Sequence, residues 1–119
     1  MHDTRELDEA VNRLADRLRA APQSRLRQGA AAEGLALARE LAKRAQRLEG
    51  VDPAEARVMP DAGVFAVGDQ LAVAGADLAE ALRAAARGEG APADPDVDPD
   101  AELAGALAEV RAAAERAGL

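Results

Sequence analysis

The sequence predicts an all-α fold: an antiparallel three- to four-helix bundle, one domain over residues 1–119, with the third helix central. Three observations predict it. Large apolar residues recur at steps of three and four in four segments, the spacing that lines one helix face. Alanine, the strongest helix former, fills 33 of 119 positions. No segment alternates apolar and polar residues as a half-buried strand does.

Helix 1 is expected over residues 4–21. Thr4 stands at the capping position, Glu6 and Asp8 favour the positive end of the helix, and Pro22 stops it. Leu7, Val11, Leu14 and Leu18, with Ala21 beyond them, fall within about 80° of one another, a stripe as narrow as a coiled-coil seam. Those four residues are therefore the expected contact of a homodimer.

Helix 2 is expected over residues 24–49, with Ser24 as N-cap and Gly50 just past its end. Gly29 and Gly34 each cost roughly 1 kcal/mol relative to alanine, which points to a kink or a late start near Ala30. Leu26, Ala30, Leu37, Leu41 and Leu48 form its apolar arc. Arg25, Arg39, Lys43 and Arg47 form a basic row opposite, a solvated face or a dock for the acidic stretch before helix 4. Glu33 lies beside the arc, where Arg13 or Arg17 of helix 1 is the expected partner.

The connector of residues 51–63 is long for a link between bundle helices. Asp52-Pro53 starts a single turn through Val58, and Met59-Pro60-Asp61-Ala62-Gly63 breaks it. Such a loop is either a packed lid or a mobile segment. As a lid it would cover a ligand pocket lined by Glu33, Met59, Val64 and Phe65.

Helix 3 is expected over residues 64–87. Val64, Val67, Leu71, Leu78 and Leu82 make its main stripe, flanked by Ala72, Ala76 and Ala79, while Val73 points nearly opposite. A helix that apolar is contacted on more than one side, hence its central place. Gly68 and Gly75, one heptad apart, admit a close partner backbone. A flexible acidic linker is expected over residues 88–98. Helix 4 is then expected over residues 99–117, capped by Asp98 with Pro99 first, docking on helix 3 or on a second subunit.

Composition bounds the chemistry. The chain has no Cys, Trp or Tyr, and one each of His, Ser, Thr and Asn. Enzymes draw most nucleophiles, proton shuttles and soft metal ligands from those types, so no enzyme and no cofactor is expected. A di-iron bundle needs two Glu-x-x-His motifs and a phosphotransfer bundle needs a helical histidine; His2 at the first residues serves neither. Asp94, Asp96, Asp98 and Asp100 alternate like half a calcium loop. The sixth and twelfth positions hold Pro99 and Gly105 rather than Gly and Glu, so no metal is expected there.

Net charge is −7 and the single aromatic is Phe65, a poor combination for phosphate contact or base stacking, so no nucleic acid is expected. Residues 24–49 carry +3 and residues 88–119 carry −6. No apolar run reaches the length of a membrane span, and the opening MHDTRELDEA is too polar and acidic for a signal peptide, so a cytoplasmic protein is expected. The Ala-Leu-Val-Arg bias fits a high-GC bacterial coding sequence. The 14 Leu, 8 Val, 2 Met and 1 Phe make a thin core, and association would bury more surface. The expected function is a small non-enzymatic helical interaction or assembly module, self-associating as a dimer or binding an unidentified protein. The alternative is a ligand-sensing regulatory domain using the pocket under residues 51–63.

Overall fold

The computed structural model describes residues 3–89 and 95–119, and every regular element among them is helical. Four helices carry the fold: α1 (Arg5–Ala20), α2 (Ala31–Leu48), α3 (Val67–Ala86) and α4 (Pro99–Ala117). They stand at the corners of a square. α1 and α2 each pack on both α3 and α4, while the diagonal pairs α1/α2 and α3/α4 barely touch.

Helix directions follow from the cross-contacts. Arg83 of α3 donates to Thr4 Oγ1 at 3.0 Å and Arg19 of α1 donates to Asp69 at 2.8 Å, so α1 and α3 are antiparallel. Arg44 to Glu102 at 3.2 Å and Arg116 to Glu33 at 2.8 Å make α2 and α4 antiparallel. Along the other two edges the helices run parallel. Gly34 meets Val67 at one end of the α2/α3 pair, and Ala45 and Ala81 share a groove toward the other. Glu6 pairs with Arg111, and Arg17 reaches the Leu119 carbonyl, along α1 and α4. The antiparallel expectation thus holds for two of the four packed edges.

That topology explains the long connector. A chain leaving α2 must return the length of an 18-residue helix, about 27 Å, before α3 can start in the same direction. Residues 49–66 make that return as a strap laid along α2. Gln46 clamps it, accepting from Arg57 N at 2.8 Å and donating to Arg57 O at 2.9 Å. Further along, Arg39 donates to Met59 O and Gln70 to Pro60 O, both at 2.8 Å. The strap's helical turn is shorter than expected, a 3-10 turn over Pro53–Glu55, with Asp52 accepting from Ala54 N.

The α1 stripe requires the largest correction. Leu7, Val11, Leu14 and Leu18 are all buried inside this one chain, so they are core and not a surface seam. A Cβ on Gly75 would stand 2.5 Å from Val11 Cγ1, and one on Gly34 2.9 Å from Leu18 Cδ1. Gly75 on the adjacent α3 and Gly34 on the diagonal α2 leave room for these side chains, so even a narrow stripe is covered within the chain.

Helix ends also differ from expectation. Ser24 is no cap: Pro22 precedes a short helical piece, Gln23–Arg25, which runs through a π-turn at Leu26–Ala30 into α2. The kink sits at Gly29, whose φ of 137° suits glycine. Thr4 occupies the N-cap of α1, but its hydroxyl is taken by Arg83 rather than by the helix backbone. α3 starts at Val67 because Gly63, at φ 94°, and the turn over residues 64–66 belong to the strap. Asp98 caps α4 as expected, accepting from Asp100 N at 3.1 Å. His2 and residues 90–94 of the expected linker, Asp94 among them, lie outside the described residues.

Candidate functional site

The strap divides the surface of the α2/α3 edge into two grooves. The first, about 830 Å³, lies between the strap, α2 and α3. Ala42, Ala45, Ala81 and Ala84 form its apolar floor, Met59 and Val58 its strap wall, and Glu49, Asp77 and Glu80 its acidic rim. The second, about 510 Å³, lies on the other flank, between the strap and the outer face of α2. Arg39, Lys43 and Arg47 line it, with Glu40 as its one carboxylate. Gln46, Val51, Arg57 and Val58 line both grooves, so this part of the strap is the ridge between them.

Helical spacing places the charges. Asp77, Ala81 and Ala84 recur at four and three residues on α3, which turns all three toward the strap. Arg39, Lys43 and Arg47 recur at four residues on α2, one row beside the strap. Asp77, Glu49, Lys43 and the Arg57 guanidinium have no ion-pair partner among the described residues. Others are engaged: Glu80 with Arg83 and Arg87, each at 3.2 Å, and Arg47 with Glu102 at 3.1 Å. The Arg87 and Arg83 hydrogen bonds hold the Glu80 carboxyl below its ordinary value.

Among the described residues three large apolar side chains are exposed, and Val58 of the ridge is one of them. Val58 is 72% exposed, Phe65 71% and Val73 56%. Val58 belongs to the strap, Phe65 to the turn ending it, and Val73 to α3.

A separate ion cluster fastens α4. Arg44 and Glu102, each 14% exposed, are 3.2 Å apart, and Arg47 joins them. Arg44 Nε lies 3.4 Å from Glu40 but outside hydrogen-bonding geometry, so Glu102 is its stronger partner. Gly105 makes the room: a Cβ there would stand 2.6 Å from Arg44 Nη1. Among the described residues no three His, Asp or Glu side chains converge as a metal site requires. No helix among them is long and apolar enough to cross a membrane.

No family model, no curated protein and no solved structure matches this chain. The site therefore rests on its own geometry.

That geometry scatters the four expected pocket residues. Met59 lines the acidic groove. Val64 sits further along, beside Ala31, Leu35 and Ala36. Phe65 faces solvent. Glu33 pairs with Arg116 of α4 at 2.8 Å, instead of Arg13 or Arg17, because it lies on the edge where α2 meets α4. Sequence reasoning does not single out Arg57, and it reads Asp77, with Asp69, as bracketing Val73 on a solvated face of helix 3 or lining a cleft. Arg57 sits in an aperiodic connector, where no helical wheel applies; Asp77 carries a weak signal, facing away from the α3 stripe.

Proposed function

We propose that this protein is a small non-enzymatic helical assembly module that self-associates through its strap face. One observation carries the reading: among the described residues the exposed large apolar side chains, Val58, Phe65 and Val73, all lie on the strap or on the helix it leads into. Large apolar side chains left exposed on the strap and on α3 offer apolar contact to another macromolecule. The α1 stripe is already buried within the chain, so it has no part in this contact. A cytoplasmic setting and a protein partner, rather than nucleic acid, belong to the same proposal, in keeping with the net charge of −7.

Light scattering behind size exclusion, over a concentration series, tests it. Refractive-index detection is needed because the chain has no Trp or Tyr. The expected result is twice the chain mass, falling toward the chain mass for Val58→Asp. A wild-type protein that stays monomeric at every concentration would sink the proposal.

A second reading, a ligand-sensing regulatory domain, is favoured by the open 830 Å³ groove under the strap. Its alanine floor and acidic rim suit an apolar cation. Titration calorimetry with alkylamines of increasing chain length tests it. Saturable heat abolished by Asp77→Asn supports this reading, and none at any length counts against it.

A further inference from the structure

The two grooves flanking the strap carry opposite charge. We infer that a two-fold axis running along the strap lays the basic groove of one copy over the acidic groove of the other. This rests on the self-association proposed above and adds its geometry. On one flank, Glu49, Asp77 and Glu80 outnumber the shared Arg57; on the other, Arg39, Lys43 and Arg47 outnumber Glu40. Among the described residues, charge without an ion-pair partner remains on both sides, at Asp77 and Glu49 on one and at Lys43 on the other.

The arrangement meets the requirement of an isologous dimer, in which one surface must complement itself after a half-turn. Rotation about a line along the strap exchanges its two flanks, so Lys43 of each copy faces Asp77 of the other. Both pairings form at once and the assembly closes at two. Val58 lies on the ridge common to both grooves, 72% exposed, where it meets its own counterpart near the axis. Apolar contact there excludes water from the flanking charge pairs and strengthens them. A chain of net charge −7 would otherwise repel its copy, so local complementarity is what such a dimer needs.

Charge reversal tests the pairing on Lys43 and Asp77, both exposed, with circular dichroism confirming the fold of each variant. Lys43→Glu and Asp77→Lys, each alone, are expected to weaken dimerisation by roughly tenfold or more, because each sets like charges across the interface. An equimolar mixture of the two is expected to regain wild-type affinity. In the mixed dimer the two reversed side chains face each other on one flank, and the native Lys43–Asp77 pair forms on the other. The double variant K43E/D77K is expected to dimerise by itself. If wild type dimerises and the single variants do so equally well, self-association stands and this axis is overturned. Weakened variants that the mixture does not restore overturn the Lys43–Asp77 pairing. A wild type that is monomeric throughout overturns the self-association itself.

Discussion

Gly75 of α3 faces Val11 of α1 so closely that a Cβ on the glycine would stand 2.5 Å from one Val11 methyl and 3.1 Å from the other. Alanine at this helical position would ordinarily stabilise by about 1 kcal/mol. Here it meets a branched, rotamer-restricted side chain packed in the core, so α1 and α3 must move apart. Gly75→Ala is expected to destabilise by a net ~1–2 kcal/mol. Val11→Ala in the same chain should recover part of that loss. Urea midpoints of the two single variants and the double variant read the coupling, and additive losses would contradict the contact.

Leu14 gives the clearest contrast between a core and an interface. It is 3% exposed within the single chain. Truncation to alanine is expected to cost about 2–5 kcal/mol, and Leu14→Asp more, because a carboxylate would be buried without a partner. Circular dichroism should therefore show lost helicity for Leu14→Asp. A variant that kept full helicity and only changed its mass would restore the α1 stripe as an intermolecular seam.

Helix positions were legible because burial on a helix obeys a period, and Leu7, Leu41, Leu71, Leu78 and Leu82 are fully buried as their spacing requires. Topology was much less so. Whether α2 and α3 run parallel leaves no mark on either helix, since each buries the same face either way. The mark lies in the connector, whose excess length is what a return along α2 demands. Dimer and core stripes have the same spacing, so Val11 and Leu18 could not reveal that Gly75 and Gly34 cover them. The candidate site was the least legible part. Its basic row on α2 is periodic, but Arg57 reaches that row from a strap with no period.

Glu102 anchors α4 by accepting from both Arg44 and Arg47 at 3.1–3.2 Å. Glu102→Ala would leave Arg44, only 14% exposed, with its closest carboxylate gone. Removing one member of a largely buried pair costs roughly 3 kcal/mol. The loss should appear locally, since Glu102 sits in the first turn of α4, where a helix opens most readily. Hydrogen exchange is expected to accelerate across residues 99–110, and the α1 and α3 amides that exchange only through global unfolding to accelerate by no more than the same factor. Unchanged protection over residues 99–110 would mean that the ion cluster does not hold α4.

Acid should remove surface pairs as their carboxylates take up protons. The Glu80 carboxyl lies below its ordinary 4.5 because Arg87 and Arg83 donate to it, and Asp3 is lowered from 3.8 to about 2 mainly by the Arg5 side-chain hydrogen bond. A carboxylate depressed by folding contributes stability above its unfolded value and loses it as pH falls through the folded one. The Glu80 contribution is thus expected to fade below pH 4.5 and the Asp3 contribution between 3.8 and about 2. Urea midpoints measured downward from pH 7 should fall in this range. Glu80→Gln should show a shallower fall than wild type, and an identical slope would remove Glu80 from the account.

Gln46 holds the strap at Arg57 by two hydrogen bonds, one to the backbone N and one to the backbone O. Each such bond is worth about 1 kcal/mol net, so Gln46→Ala should release the strap locally by about 2 kcal/mol, roughly thirtyfold in its opening equilibrium. Arg57 supplies its own reporter, because trypsin cuts after arginine and needs an opened, extended backbone. When opening is fast relative to cutting, cleavage follows the open population. Limited proteolysis is expected to cut Gln46→Ala between Arg57 and Val58 roughly thirtyfold faster than wild type, while global stability falls by no more than the same ~2 kcal/mol. Arg47, on α2, supplies the control: cleavage there should stay slow in both proteins. Equal rates at Arg57 would show that Arg39 and Gln70, further along, hold the strap without Gln46.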